Sequence, residues 1–173
     1  MAGFVIVSRP PMMMQTLKVG DIAVYPAHGV AEVTGIERRE VAGRIQQFYV
    51  LRMLAGGMTI MVPTGNTESV RLRSVMAKDE VQEVYGILKG RPRFSEGPWN
   101  RRYRAYMDKI RTGSPVDLAE VLRDLTKLRD SKELSFGERK MLETARTLLV
   151  KELAVAKRRA ERTIEREIDR ILA

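Results

Sequence analysis

The sequence predicts an α+β chain in two domains: a small N-terminal antiparallel β-barrel of the SH3 or Tudor kind, then a compact all-α domain of about five helices. Three observations predict it. From Leu17 to Met76, short apolar runs alternate with polar residues and are broken by glycine- and proline-containing turns. From Ala77 onward the apolar residues recur at three- and four-residue spacing. Helix-opening signals then appear at Ser114-Pro115 and at Ser135 with Glu138. The change of period near residue 76 sets the expected boundary, giving a tail at 1–16, a barrel at 17–76 and a helical domain at 77–173.

The tail, "MAGFVIVSRPPMMMQT", has an apolar piece too short and too poor in leading basic residues for a signal peptide, and Pro10-Pro11 breaks its continuation. "DIAVY" (21–25) reads as a first strand ended by Pro26 and Gly29. "VAEVTGIERRE" (30–40) alternates in the manner of a half-buried strand, with Gly35 as a bulge or bend. "VAGR" turns the chain at Gly43. "IQQFYVLRM" (45–53) is rich in aromatic and β-branched residues, "AGG" (55–57) is a second turn, and "MTIMVP" (58–63) is a strand closed by Pro63. "SVRLR" (69–73) is expected to complete the barrel.

Among the helices, 77–89 sets Val81, Val84, Tyr85 and Leu88 on one face. A basic loop with Gly90, Pro92 and Gly97 leads to Pro98, which opens the second helix. The third is expected at 114–130, the fourth at 135–157 and a fifth at 158–173. The third and fifth mix Glu and Arg densely and read as solvated faces, the fifth as loosely held.

Charge is local. The chain carries a net +9, and Lys89–Arg111 alone contributes +6 through 8 basic and 2 acidic residues. A patch of this kind suits a polyanion such as nucleic acid; a solvated helix is the plainer reading. The same segment holds the chain's one tryptophan. At 100° per residue Trp99, Tyr103, Tyr106, Met107 and Ile110 share a face, with Arg101, Arg104 and Arg111 largely opposite. The tyrosines and Ile110 are expected in the core. Trp99, in the first turn, either staples the helix entry or projects as an apolar wedge beside phosphate-binding arginines.

Other chemistries find little support. There is no cysteine, which removes disulfides and thiolate zinc sites and fits a reducing cytosol. His28, in the turn "YPAHGV", is the single imidazole. No P-loop or GxGxxG follows a strand, and no run reaches the ~20 apolar residues of a spanning helix. No enzymatic activity, cofactor, metal or small-molecule substrate is expected.

Five blocks occur in order: "VGDIAVYPAHGVAEVTGIE" (19–37), "FYVLRM" (48–53), "PWNRRYRAYMDKIRTG" (98–113), "AEVLRDL" (119–125) and "LSFGERKMLETARTLLVKELA" (134–154). Together they resemble the CarD/CdnL family of bacterial transcription regulators, from about Lys18 to the end of the fourth helix. The resemblance implies a Tudor-like barrel docked on the RNA polymerase β subunit, similar to the polymerase-interacting module of transcription-repair coupling factors. It implies a helical domain at promoter DNA, at the upstream edge of the bubble, which lengthens the life of the open complex with the primary sigma factor, notably at ribosomal RNA promoters. The chain would then be cytoplasmic, joined to the nucleoid through polymerase. By the same resemblance Trp99 is the minor-groove residue, Arg101, Arg102 and Arg104 are its basic neighbours, and Met107 and Phe136 belong to the same patch. Arg39, Tyr49, Met61 and Pro63 fall to the polymerase side, Met61 standing where some members carry arginine and others methionine. "FYVLRM" or "MTIMVP" would offer a free sheet edge or its flanking apolar surface. Two other readings share these features: a free-standing non-specific DNA-binding protein, and a protein-interaction scaffold.

Overall fold

The computed structural model describes residues 16–94 and 96–173; all of the expected tail except Thr16 lies outside them. Five strands precede five helices: β1 (Ile22–Tyr25), β2 (Gly29–Val41), β3 (Arg44–Met53), β4 (Thr59–Pro63) and β5 (Arg73–Ser74), then α1 (Lys78–Lys89), α2 (Trp99–Thr112), α3 (Pro115–Ser131), α4 (Phe136–Lys157) and α5 (Glu161–Leu172). The α+β class expected from the two periodicities is the one found. The strands form one antiparallel sheet in the order β4-β3-β2-β1-β5.

The alternation of β2 survives Gly35 because the pairing with β3 shifts register between Val33 and Gly35. That bulge lets Val33 and Ile36 share a face with Leu51 and Tyr49 although they stand an odd three positions apart. The β2–β3 turn places Ala42 (φ 53) and Gly43 (φ 76) both in the left-handed region, the conformation of a two-residue turn that matches strand twist. Leu17, Ala23, Val33, Tyr49, Leu51, Val62 and Leu72 fill the barrel core.

Residues 69–73 depart from the expected strand. Thr64–Asn66 form a short 3-10 helix, and the chain keeps turning through Val70 N–H to Asn66 O (3.3 Å) and Leu72 N–H to Thr67 O (3.0 Å). The Ser69 hydroxyl bonds both the backbone and the side-chain carbonyl of Asn66, which offers this segment a local alternative to a ladder. Only Arg73 and Ser74 pair, with Val24 and Ala23.

Two further corrections concern the helices. The third helix is central rather than solvated: every residue from Leu118 to Thr126 except Glu120 is buried. Its buried charges are adjacent, Arg123 Nε donating to Asp124 at 2.8 Å. The fifth helix is not loose. Ile164, Ile168 and Leu172 are buried in the helical core, and Glu167 accepts from Tyr85 (2.6 Å), Lys157 (2.5 Å) and Arg159 (2.9 Å), joining α1 and α4 to α5. A 3.6-residue repeat of large aliphatics outweighs a charged composition because all the charges fall on the remaining arc. The capping box at Ser135 forms as its spacing predicts, through Ser135 N–H to Glu138 (2.9 Å) and Glu138 N–H to Ser135 Oγ (3.2 Å).

Candidate nucleic-acid interface and docking edge

Trp99 is the first residue of α2, directly after Pro98. Its indole stacks on Tyr103, one turn on, with ring centroids 5.1 Å apart and planes 24° from parallel. The indole remains 45% exposed. It therefore combines the two alternatives left open by its position: one part braces the helix entry and the rest meets solvent. The brace has a second layer. A Cβ on Gly137 of α4 would lie 3.1 Å from the Tyr103 ring and 3.8 Å from the indole, so the absence of a side chain there lets Tyr103 seat beneath Trp99. Phe136, one residue earlier, is 78% exposed at the start of the same helix, and Met107 is half-buried. Tyr106 and Ile110 go to the core as expected.

The basic residues of α2 divide into two groups. Lys109 is engaged with Glu120 (2.5 Å), and Arg111 lies 3.8 Å from Asp108. Among the described residues, Arg101, Arg102 and Arg104 have no carboxylate partner. Arg101 and Arg104 are exposed and Arg102 is half-buried. The free cations thus gather in the turns nearest Trp99. The preceding loop is anchored by Asp124, which is wholly buried and accepts the Arg93 N–H at 3.1 Å.

The barrel carries a second surface, assembled by register. Antiparallel pairing aligns Gly35, Val50 and Met61 in one row and Glu37, Phe48 and Pro63 in the next, with Arg39 opposite Gln46 beyond. All of these face away from the core, because Tyr49, Leu51 and Val62 on the alternate positions fill it. Val50, Met61, Phe48 and Pro63 are each half-buried. With no side chain on Gly35, Val50 is left open in its row. The four apolar residues are flanked by cross-strand Arg52–Glu32 (2.7 Å) on one side and Arg39–Glu37 (2.9 Å) on the other.

Of the residues expected on the polymerase side, Arg39, Met61 and Pro63 share this face. Tyr49 does not: it is 5% exposed in the barrel core, and its hydroxyl accepts the Leu17 N–H. Its neighbours Phe48 and Val50 occupy the face instead, a shift of one position that moves a side chain through the sheet. The free edge is likewise settled between the two strands considered. β3 lies inside the sheet, whereas β4, "TIMVP", has no strand on its outer side among the described residues. Pro63 is compatible with that edge, since no inner ladder needs its N–H. His28 is exposed in the β1–β2 turn beside the Tyr25 ring. No described helix is long and apolar enough to cross a membrane.

Electrostatics within the helical domain favour its assembly. The Lys157 ammonium and then the Tyr85 hydroxyl, both bonded to Glu167, hold its carboxyl below the ordinary range. Burial pushes Glu138 upward, but the Ser135 N–H and the Lys132 ammonium outweigh it and leave the carboxyl below its usual value.

Family models match the chain in two separate segments. The profile of the CarD-like/TRCF RID domain matches residues 17–76, and that of the CarD C-terminal domain matches residues 83–169. The putative transcription factor YdeB of Bacillus subtilis is 36% identical over 148 residues, which cover 86% of this chain and 97% of that protein. Among solved structures, CdnLNt from Myxococcus xanthus is 53% identical with a TM-score of 0.33, covering 38% of this chain and 93% of that one. The 72-residue N-terminal domain of Myxococcus xanthus CarD is 39% identical with a TM-score of 0.31, covering 34% and 79%. With both halves matched and a relative aligned along most of its length, the chain belongs to the CarD-like family of RNA polymerase-associated transcription regulators.

Proposed function

We propose that the protein docks on the β subunit of RNA polymerase through the β4 edge and the outer face of its barrel. From there it stabilises the promoter open complex, formed with the primary sigma factor, by placing Trp99 and its arginines against DNA at the upstream edge of the bubble. The observation that carries this reading is the half-exposed indole of Trp99, held up by Tyr103 in the same helical turns as Arg101, Arg102 and Arg104, which have no carboxylate partner among the described residues.

The physical terms fit. An indole can enter the minor groove or lean on a distorted step, and guanidinium groups neutralise the flanking phosphates. Phe136 and Met107 extend the apolar part of the patch. Such contact is sequence-tolerant and weak by itself, on the order of 10⁻⁴ to 10⁻⁶ M at physiological salt. A docked barrel removes that handicap by turning DNA contact into an intramolecular event. The barrel face has the plan of a small interface, an apolar centre with a charged rim, and the β4 edge offers backbone groups for strand addition. No group need react. If the indole fits melted DNA better than closed duplex, it shifts that equilibrium by the difference, and about 1.4 kcal/mol gives a tenfold change.

Trp99→Ala tests the reading. With polymerase holoenzyme on a ribosomal RNA promoter, the variant is expected to keep its affinity for polymerase and to lose most of the added open-complex lifetime. An unchanged lifetime would place the function elsewhere.

A further inference from the structure

The joint between barrel and helices is packed. Val24 and Val30 are 4% and 3% exposed yet belong to neither core; they line the crevice shared with Leu118 and Leu148. At one end Pro26 sits against Gly113, the left-handed C-cap of α2 (φ 65), where an added Cβ would lie 2.7 Å from the Pro26 Cβ. On the far side of Gly113 from Pro26, Arg73 of β5 grips Glu152 of α4 with both terminal nitrogens (2.6 and 2.7 Å). The same guanidinium donates to the Gly113 carbonyl at 2.7 Å, and Glu152 also accepts the Met76 N–H at 2.9 Å.

Glu152 is 2% exposed, and every hydrogen bond of its side chain in the described structure reaches back to residues 73–76 rather than to another helix. A buried carboxylate is a costly way to hold two modules together, since apolar groups of similar size often do as well. What a bidentate pair adds is direction: it is satisfied at one relative angle only.

We propose that Arg73 and Glu152 are positioning residues that set the pose of Trp99 relative to the barrel's docking face; this rests on the function proposed for that tryptophan. Arg73 holds the carbonyl at the C-terminal end of α2, and Trp99 stands at the other end of its 14 residues. That is a lever of about 20 Å, so a 10° rotation at the joint would carry the indole roughly 3–4 Å. Binding through a fixed pose also avoids the loss of freedom that a loose tether would suffer on engaging DNA.

The test exploits the absence of cysteine in the native sequence. Spin labels at Gln47→Cys and Asp108→Cys report the distance from the barrel hairpin to α2 in the free chain. The native joint is expected to give one narrow distribution, and Arg73→Lys or Glu152→Gln a broad or displaced one, while each variant still melts cooperatively and binds polymerase within about twofold of native. In unlabelled chains, the factor by which Trp99→Ala shortens the open complex should shrink at least threefold in the Arg73→Lys background. Superimposable distributions in both variants, or an unchanged Trp99→Ala factor, would overturn the proposal. Failure of both variants to fold would also overturn it, by making the pair a folding element. Should Trp99→Ala be silent in the otherwise native chain, the proposed function falls, while the label distances still decide the joint.

Discussion

The outer face of the barrel carries four half-buried apolar side chains closed off by ion pairs on either side, whereas the mouth of α2 carries one half-exposed indole near arginines that have no carboxylate partner among the described residues. The first is a surface already partly desolvated, next to a strand edge that can add directional backbone bonds. The second depends on unpaired positive charge, which suits a polyanion. Their physics differ accordingly. Contact at the barrel should be tight and little affected by salt, while contact at α2 should be weak alone and strongly screened. In the function proposed, the two surfaces divide anchoring from DNA contact, and each should be breakable without the other.

The largest effect is expected at the barrel. Met61→Glu places a carboxylate in the centre of the apolar rows, beside Val50. Burying it against a partner without a counter-charge should cost about 2–4 kcal/mol, a loss of polymerase affinity of thirtyfold or more, measurable by fluorescence anisotropy. Binding of the free chain to duplex DNA should be unaltered. Equal loss at both would show that the surfaces are not independent.

The next effect separates the modules by acid. The folded pKa of Glu167 lies below its ordinary value of 4.5, so the group contributes stability that is present above that value and lost as pH falls through the folded value. Glu138 acts in the same direction. Burial lowers the pKa of Lys157, but its bonds to Glu167 and Tyr85 and their charges together raise it on balance, so it adds stability below its ordinary value of 10.5 that is lost as pH rises through the folded one. Helical circular dichroism should therefore fall as pH drops below the ordinary carboxylate value of 4.5 through the lower folded values. Glu167→Gln should flatten that limb and cost about 1.5 kcal/mol at neutral pH, since it replaces a charged acceptor of three bonds. A limb as steep as the native one would assign the acid sensitivity to other groups.

How far the sequence discloses these features depends on whether their cause is local. The strands were legible because alternation and turns are local, and even the bulge at Gly35 shows as a break in the pattern. The segment 69–73 misleads because Val70 and Leu72 keep the alternation while Asn66 and Ser69 bend the backbone. The third helix misleads because a charged composition says nothing of charges that satisfy one another, as Arg123 and Asp124 do in part. On the docking face, period two puts Arg39, Met61 and Pro63 together only once register is known, and Tyr49 misses by one residue. Trp99 is found by its rarity, yet its exposure depends on Tyr103 and on Gly137, which lies far along the chain. The signal for Tyr103 was present as an aromatic pair four residues apart. Arg73 and Glu152 are separated by 79 positions, and no short-range pattern joins them.

A smaller effect sharpens the contrast at α2. Arg104 is exposed and has no ion pair in the described structure. Arg104→Ala should lower affinity for duplex DNA uniformly across sequences, by about 1 kcal/mol, and reduce the slope of log K against log salt by about 0.9. Trp99→Ala should lower affinity with no change in slope, because the indole releases no counterions. Titrations at several salt concentrations distinguish the two; equal slope changes would mean that Trp99 acts only by orienting its arginines.

The smallest effect asks whether the barrel face works through its surface or through the stiffness of its hairpin. Ala42 adopts φ 53 at the tip that joins β2 to β3, a conformation an L-residue with a Cβ resists. Ala42→Gly removes that resistance at some cost in unfolded-chain entropy, for a net gain of about 0.5 kcal/mol in stability. The substitution touches none of Phe48, Val50, Met61 or Pro63, and it leaves the pairing of Arg39 with Gln46 in register. If those side chains carry the contact, polymerase affinity should stay within experimental error while the urea midpoint rises. If affinity rises with stability, the free hairpin must be ordered on binding, and the barrel surface would share with the tryptophan patch a dependence on pre-set geometry.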